Sequence, residues 1–240
     1  MTLDWKRPEN IPFPSIWHRF KAKDIDSDNL IEYRVQDLTE EYYDVALDHM
    51  KKYFLKDEVM NNVMGLWKDE ASIDNITKIW SEMVKEKLSL ACFRENSNEM
   101  VGCNILYLSQ KGKEENNDII SAPKFKRVAD AMDFVISKGP DVKELYGVDK
   151  HLGAFGLSVD PKYRGRGIAT EILKARVPMC KAVGIGLTSN VFSGEASQAV
   201  ARKAGFEENF SYSYEELAKE GFDFPGIKAK TMKIMSLKVK

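Results

Sequence analysis

The chain has 240 residues, 43% of them hydrophobic, and its 36 lysines and arginines against 37 aspartates and glutamates leave a net charge of −1. This length can bury a substantial core and fits one large domain or two small ones. The balanced charge provides no general attraction to nucleic acid or to an anionic membrane, so an anion-binding site must be local.

The three cysteines are an odd number without paired spacing, which favours a reducing compartment. The three histidines lie far apart and form no HxxEH or HxE pattern, so no metal site is predicted. The N-terminus is polar, and no stretch approaches the ~18 apolar residues of a membrane span. The sequence therefore predicts a cytoplasmic protein with neither nucleic acid nor a membrane as partner, and it leaves the oligomeric state open.

The N-terminal part of the chain has no sustained period. The first 29 residues carry three prolines and an acidic cluster, so we expect an extended arm over residues 1–29 and a folded domain over residues 30–240. The apolar run 31–35 predicts a first strand. A helix should follow, with Glu40 and Glu41 in its first turn.

The middle of the chain carries one helical pattern, then two strand patterns, then another helix. Apolar residues recur at helical spacing over residues 72–88. Strands are predicted at 90–94 and 100–108, on either side of a polar hairpin loop. Pro123 opens the next helix, which should end at Gly139.

The second half of the chain alternates strands and helices more clearly, which is typical of an α/β protein. The order is a strand at 152–159, a helix from Gly167, a strand at 187–191, a helix at 194–204 and two strand-like stretches. Pro178 lies inside the first of these helices, so we expect a kink or an early end near Val177.

The turn after the strand at 152–159 has the features of an anion site. The strand stops at Asp160, and glycines then open a helix whose unpaired N–H groups can hold a pyrophosphate. Gly165 and Gly167 allow close approach of the backbone, while Arg164 and Arg166 add charge. The alternative is an ordinary strand-to-helix turn with two surface arginines.

Two other nucleotide-binding classes do not fit this turn. A dinucleotide-binding turn needs a third glycine where Thr170 stands and an acidic residue about twenty positions later, near Ser189 or Asn190. A P-loop needs a lysine and a hydroxyl after its last glycine, but Ile168 follows Gly167. Neither class is therefore predicted.

The turn resembles motif A of the GCN5-related N-acetyltransferases (GNAT), whose pattern Gln/Arg-x-x-Gly-x-Gly/Ala is matched by Arg164, Gly167 and Ala169. The resemblance implies an α/β fold with one domain, a mixed twisted sheet of about seven strands flanked by helices. It also implies acetyl-CoA as cosubstrate, with the strand pairing with the pantetheine arm and the turn holding the pyrophosphate. The implied cofactor-binding residues are Leu157, Ser158, Val159, Arg164, Gly165, Arg166, Gly167, Ile168, Ala169 and Thr170.

Three further segments are similar to the insect arylalkylamine N-acetyltransferases: Phe-Leu-Lys-Asp-Glu at 54–58, Pro-Lys-Phe-Lys at 123–126 and Leu-Ser-Val-Asp at 157–160. This resemblance covers about residues 33–239 and implies transfer of acetyl to a small primary amine, an arylalkylamine. Val-Met-Asn at 59–61 stands where that branch usually has Pro-Leu-Asn, so the substrate preference can differ. The alternatives are a polyamine or protein-lysine acetyltransferase, or a catalytically silent acyl-CoA-binding protein.

The resemblance also implies a catalytic base. The insect enzymes place a glutamate at the start of the first helix, and a gap-free alignment ending at Glu58 puts this residue on Glu41. A slip of one position would select Glu40 instead. Without the resemblance, Glu41 is a carboxylate that interacts with the helix dipole. Asp57 and Glu58 are expected to be solvated loop charges that can attract a cationic amine.

The sequence indicates the proton donor for the leaving thiolate less specifically than it indicates the base. The wider superfamily often uses a tyrosine where Ala201 stands here, whereas the insect branch has two serines four residues apart, matched by Ser193 and Ser197. Helical spacing puts both on one face. The alternatives are an N-cap role for Ser193 and a packing role for Ser197, with Tyr212 or Tyr214 as donor. The expected mechanism is direct attack by the amine in a ternary complex.

Overall fold

One mixed sheet of eight strands runs through the described residues, 5–112 and 119–240, of this computed structural model. The strands lie side by side in the order β1-β2-β3-β4-β5-β6-β8-β7. Their bounds are β1 Ile16–Lys23, β2 Leu30–Asp37, β3 Leu90–Arg94, β4 Met100–Gln110, β5 Lys150–Val159, β6 Leu187–Phe192, β7 Glu207–Ser213 and β8 Thr231–Lys238. Neighbouring strands are antiparallel except β5 and β6, which are parallel.

Helices cover both faces of this sheet. In chain order they are α1 Tyr43–His49, α2 Leu55–Asp57, α3 Val59–Met64, α4 Glu70–Lys85, α5 Pro123–Lys138, α6 Val142–Tyr146, α7 Ile168–Val183, α8 Glu195–Ala204 and α9 Tyr214–Lys219. A π-helix, Met50–Phe54, joins α1 to α2. Short 3₁₀ turns occupy Glu40–Tyr42, Leu66–Lys68 and Pro161–Tyr163.

The sheet separates two hydrophobic layers. Alternate side chains of β3 show this directly, because Ala91 and Phe93 join one buried cluster while Leu90 and Cys92 join the other. The first cluster includes the fully buried Trp80 of α4, and the second is covered by α7. A strand that is buried on both faces needs a continuous apolar run, which is the pattern that predicted β3.

The predicted extended arm is in part a strand of the sheet. Residues 16–23 form β1 and pair antiparallel with β2, and the fully buried carboxylate of Asp37 accepts hydrogen bonds from Arg7 Nη2 at 2.8 Å and Trp17 Nε1 at 2.7 Å. The predicted division between residues 29 and 30 therefore falls inside a β-hairpin. An edge strand that alternates apolar and basic residues gives a weaker signal than a buried strand, which explains the difference.

The early end predicted for α7 is wrong. The helix continues past Pro178 to Val183, and Gly184 ends it with a left-handed φ of +72°. Proline removes one backbone donor, but Met179 and Cys180 are fully buried against the second cluster, and this packing stabilises the last turn.

The predicted fold class is confirmed: an α/β domain with a mixed sheet flanked by helices, of eight strands rather than about seven. Strand β1 accounts for the difference, because the sequence analysis placed it in the arm. Among residues 5–112 and 119–240, no helix is both long and apolar enough to cross a bilayer.

Candidate active site

β5 and β6 start as neighbours and then diverge. These parallel strands share one registered pair, Leu152 with Thr188. Further along, the carbonyl oxygen of Ala154 accepts a hydrogen bond from the side chain of Asn190, at 2.9 Å, instead of from the backbone of β6. The divergence leaves an opening between the carboxyl ends of β5 and β6, which we call the fork. Ligands of open α/β sheets bind at carboxyl strand ends of this kind.

The β5 arm of the fork continues into the glycine-containing turn. Gly165 and Gly167 have left-handed φ values of +76° and +80°, and Gly167 is the N-cap of α7, a helix of 16 residues. A Cβ atom added to either glycine would meet no other atom within 4 Å. The backbone conformation itself therefore requires glycine, and the space above the turn is open. The N–H groups of the first turn of α7 provide the positive end of the helix dipole here.

Arg166 holds this turn in place. Its guanidinium group donates to the backbone carbonyl oxygens of Lys162 at 3.0 Å and Arg164 at 2.9 Å, within the turn. It also donates to the carbonyl oxygens of Asp24 at 3.2 Å and Ile25 at 3.4 Å, in the loop between β1 and β2. This side chain therefore ties the turn to the N-terminal hairpin, beside an open cavity of about 440 Å³.

Arg164 connects the turn to the helical side of the site. Its Nε donates to the carbonyl oxygen of Val159 at 2.9 Å, and its Nη2 forms an ion pair with the carboxylate of Asp57. Both side chains are about two-fifths exposed, at 42% and 41%. Of the two predicted arginines, Arg164 is thus the one that keeps an exposed guanidinium next to the glycines.

The other predicted cofactor residues lie along β5 and the start of α7. The side chains of Ser158, Ile168 and Thr170 are buried, at 5%, 2% and 7% exposure. Leu157 and Ala169 are partly exposed. A cofactor in the fork would therefore meet most of this segment through its backbone groups, as a pyrophosphate on a helix N-terminus does.

Glu58 follows Asp57 and binds the opposite arm of the fork. Its Oε1 accepts a hydrogen bond of 2.6 Å from Ser193 Oγ, and Ser193 comes directly after β6. The same carboxylate caps the N-terminus of α3, because it accepts from the backbone N–H groups of Met60 at 3.2 Å and Asn61 at 2.8 Å. Asp57 and Glu58 together thus bridge the mouth of the fork.

The environment of Glu58 differs from the solvated loop expected from the sequence. The residue keeps part of its surface accessible, yet the packing around its carboxyl group is close enough to desolvate it. Burial raises the pKa of Glu58 above its ordinary value, and the hydrogen bonds from Ser193 and from the backbone of α3 oppose part of this shift. An accessible carboxyl group with a raised pKa is typical of general bases.

Ser193 is buried, at 8% exposure, and its neighbours fix its position. Tyr214 Oη donates to the Ser193 carbonyl oxygen at 2.7 Å. A Cβ atom added to Gly194 would lie 3.0 Å from Val59 Cγ1, so the backbone after Ser193 passes close to the start of α3. The alternative role of Ser193 as an N-cap does not hold, because Gly194 is the N-cap of α8 and the Ser193 hydroxyl bonds to Glu58.

Ser197 lies one turn into α8 and makes local contacts. Its Oγ donates to the Gly194 carbonyl oxygen at 2.8 Å and accepts from the Gly194 N–H at 3.4 Å. The structure thus brings Ser193, but not Ser197, into hydrogen-bond contact with a carboxylate. Ala201, at the position where the wider superfamily often has a tyrosine, is fully buried in a cluster with Phe206.

Glu41 and Glu40 lie in the 3₁₀ turn before α1, and both are exposed. Glu41 Oε1 accepts a hydrogen bond from Thr39 Oγ1 at 3.2 Å, a contact within the same turn. The first-turn position predicted for both residues is therefore confirmed. The structure does not surround Glu41 with the protein groups that it places around Glu58.

The π-helix fits its side chains against β5 at the fork. Gly156 has a φ of +129°, and a Cβ atom there would come within 2.5 Å of Met50 Cε and 2.9 Å of Phe54 Cζ. His49, just before the π-helix, is 7% exposed, and burial lowers its pKa to about 4, so it is neutral at pH 7. π-Helical turns often occur at functional sites.

Comparisons with known proteins agree with this geometry. The model of the acetyltransferase (GNAT) family matches residues 40–206. A crystal structure described as an "insect putative arylalkylamine N-acetyltransferase 7" from the yellow fever mosquito Aedes aegypti is 45% identical, with a TM-score of 0.94 over 99% of this chain and 100% of that chain.

More distant structures share the fold alone. Arylalkylamine N-acetyltransferase 2 from Aedes aegypti is 19% identical, with a TM-score of 0.76 over 87% of this chain and 99% of that one. A Drosophila melanogaster polyamine N-acetyltransferase is 13% identical, with a TM-score of 0.71 over 86% of this chain and 100% of that one. With its fork, its glycine turn and a family match over most of its length, the chain belongs to the GNAT family of N-acetyltransferases.

Proposed function

We propose that this protein transfers an acetyl group from acetyl-CoA to a small primary amine, in the first place an arylalkylamine, by direct attack in a ternary complex. The observation that carries the proposal is the Glu58–Ser193 pair at the mouth of the fork, next to the Arg164 turn. It puts a carboxylate that can act as a base beside the opening where the cofactor would lie.

The turn supports acetyl-CoA as the cosubstrate. Its left-handed glycines, the N-terminus of α7 and the exposed guanidinium of Arg164 together suit a pyrophosphate. The divergence of β5 from β6 gives an extended pantetheine arm a strand to lie against. In this proposal Leu157, Ser158 and Val159 contact the arm, and residues 164–170 hold the pyrophosphate.

We assign the base to Glu58 in place of Glu41. Glu58 is the carboxylate with a raised pKa beside the fork, whereas Glu41 is exposed and accepts a hydrogen bond from Thr39 in its own turn. Glu58 takes a proton from the ammonium group, directly or through a water molecule. The free amine then attacks the thioester carbon, the C–N bond forms, and the C–S bond breaks with its electron pair on sulfur, while the second proton that nitrogen loses passes to water.

The departing sulfur needs a proton, and the two serines are our candidates for delivering it. Ser193 is favoured, because its hydroxyl already bonds to the group that gains a proton from the amine. A relay from Glu58 through Ser193 to sulfur would return the carboxylate to its starting state. Ser197 can take part only if it gives up its bond to Gly194.

Support for an arylalkylamine comes from the description of the 45% identical mosquito protein as an arylalkylamine N-acetyltransferase and from the hydrophobic cluster beside Glu58. Partly exposed aromatic side chains there include Phe54 and Phe155. A polyamine or a protein lysine would be the substrate if this surface binds an aliphatic chain. A silent acyl-CoA-binding protein would bind the cofactor without turnover.

The experiment is a substrate panel. Release of free thiol from acetyl-CoA is followed with aromatic amines, polyamines and a lysine peptide, and acetyl-CoA binding is measured by calorimetry. We expect the highest kcat/KM with an arylalkylamine. Acetyl-CoA binding without turnover of any amine would exclude the proposal, and a preference for a polyamine or for the peptide would replace its substrate class.

A further inference from the structure

A buried arginine that has no carboxylate partner among residues 5–112 and 119–240 lies beside the fork. Arg176, in α7, is 1% exposed, and its Nε donates to Asn104 Oδ1 at 2.9 Å. Its Nη1 donates to Asn190 Oδ1 at 2.9 Å and to Thr188 Oγ1 at 3.2 Å. All three acceptors are neutral groups, so this guanidinium is hydrogen-bonded without being neutralised.

In the part of the chain that the structure describes, no carboxylate forms an ion pair with Arg176. The two titratable groups that act on it are the Cys180 thiol and the Tyr107 phenol. Burial raises the pKa of Cys180 to about 12 and lowers that of Arg176 to about 10, so the thiol stays protonated and the guanidinium stays charged. Phe206 adds a ring face at 6.0 Å. An unpaired buried charge costs stability, so stability alone does not explain this residue.

The partners of Arg176 hold the strand that forms one side of the fork. They donate in turn to carbonyl oxygens of β5: Asn104 to Gly156 at 2.8 Å, Asn190 to Ala154 at 2.9 Å and Thr188 to Leu152 at 3.0 Å. Since Arg176 occupies the oxygen of each amide, the NH₂ group of each asparagine must face β5. Where the ladder between β5 and β6 is lost, this network therefore replaces it.

We propose that Arg176 is a positioning residue for acyl transfer, which fixes β5 at the fork and holds an uncompensated positive charge beside the thioester. The proposal rests on the proposed function, because that function places acetyl-CoA in the fork. When the amine attacks, negative charge develops first on the thioester oxygen and then on the departing sulfur. A fixed positive charge in a poorly solvated site stabilises the negative charge at both positions, and the charge on sulfur is the one that the test below measures.

The test measures the pKa of the CoA thiol bound to the enzyme, from the ultraviolet absorbance of the thiolate as a function of pH. Arg176→Gln removes the charge and keeps hydrogen-bonding groups, whereas Arg176→Lys keeps the charge and loses the planar arrangement of guanidinium donors. We expect Arg176→Gln to raise the bound-thiol pKa by about one unit, as for loss of a unit charge within roughly 10 Å at an effective dielectric constant of ~20. Arg176→Lys should stay within a few tenths of a unit of the wild-type value.

Turnover should follow the same order. We expect Arg176→Gln to lower kcat by roughly 10- to 100-fold with a much smaller change in the KM for acetyl-CoA, and Arg176→Lys to recover part of the loss. Native kcat in a folded Arg176→Gln protein would overturn the proposal. So would a loss of kcat with an unchanged bound-thiol pKa, since that result shows a role confined to packing.

A second pair of variants keeps Arg176 itself, in case Arg176→Gln does not fold. Asn190→Asp and Asn190→Ala both remove the amide donor to Ala154, but only aspartate places a counter-charge on Arg176. We expect Asn190→Asp to show the higher bound-thiol pKa and the lower kcat of the two. Equal values would overturn the electrostatic role. Failure of the proposed function is distinguishable, because the wild-type protein would then transfer no acetyl group.

Discussion

The substitution Glu58→Gln tests the proposed base with little change of shape. Glutamine can keep an oxygen in place of Oε1, which accepts from the backbone N–H of Met60 and from the Ser193 hydroxyl, but it loses Oε2, which accepts from the backbone N–H of Asn61. Part of the cap of α3 should therefore persist, while the group that takes the amine proton is lost. We expect kcat to fall by ~10²–10⁴ at neutral pH, the usual contribution of a general base, with acetyl-CoA binding within a few-fold of wild type.

The pH dependence adds a signature that a packing defect cannot produce. Burial raises the pKa of Glu58, and only the ionised carboxylate can accept a proton. The kcat/KM of the wild-type enzyme should therefore fall as the pH decreases through this raised pKa. Because Glu58→Gln has no such group, its residual activity should lack that limb of the profile. Steady-state kinetics across the acidic range, with the arylalkylamine varied at a saturating concentration of acetyl-CoA, would measure both profiles.

The same variant should change stability in a direction that the pKa shift fixes. A carboxyl group whose pKa is higher in the folded than in the unfolded protein favours folding while it is protonated, and this stability is lost as the pH rises through the folded-state pKa. Because glutamine does not ionise, Glu58→Gln does not lose stability as the pH rises. Its melting temperature should therefore exceed that of the wild type above the raised pKa, with the difference shrinking towards acidic pH.

Glu41→Gln is the matched control, because it makes the same chemical change at an exposed carboxylate that accepts a local hydrogen bond from Thr39. We expect turnover within about twofold of wild type, as for a surface substitution. If Glu41→Gln loses activity and Glu58→Gln keeps it, the assignment of the base to Glu58 is refuted and Glu41 takes its place. Loss in neither variant would leave the amine deprotonated by solvent.

Two further predictions concern the turn and the serines. Gly167→Val should weaken CoA binding by tenfold or more in a calorimetric titration, because a β-branched residue is strained at a φ of +80°. Native CoA affinity in a folded variant would show that the turn does not hold the pyrophosphate. Ser193→Ala should lower kcat more than Ser197→Ala does, and the main effect of Ser197→Ala should be a loss of about 1 kcal/mol of stability from the α8 cap. Kinetics and thermal unfolding of the single and double variants would measure both effects. Equal losses of kcat in the two single variants would contradict the preference for Ser193.

The glycine turn was predictable from the sequence because its determinants are local. Left-handed glycines, a strand that stops at Asp160 and a helix that starts at Ile168 all lie within a dozen residues. The role of Arg166 was not predictable in this way. Its partners Asp24 and Ile25 belong to a hairpin that the sequence analysis treated as an arm, so the arginine was assigned to the phosphate rather than to the turn itself.

The pair of Glu58 and Ser193 is non-local in sequence, and no pattern within either segment indicates the other. The two residues are 135 positions apart and meet because β6 ends where α3 begins. A glutamate at an N-cap is also less usual than serine or aspartate, so the segment 57–59 did not indicate the start of a helix. The network around Arg176 was missed for the same reason, since its members come from β4, β6 and α7.

The position of the proposed base follows from the way in which the first helical region is broken. Two glutamates lie at the start of a helical segment in this region, because a 3₁₀ turn, α1, the π-helix, α2 and α3 succeed one another between residues 40 and 64. Glu41 begins the first of these pieces and Glu58 caps the last. The π-helix lets Met50 and Phe54 pack on Gly156, and the extended backbone at Glu58, with ψ of 131°, interrupts the helical path before α3. A continuous α-helix of the same length would turn residues 57 and 58 about 100° apart on its surface. The interruption instead lets them reach Arg164 on one arm of the fork and Ser193 on the other.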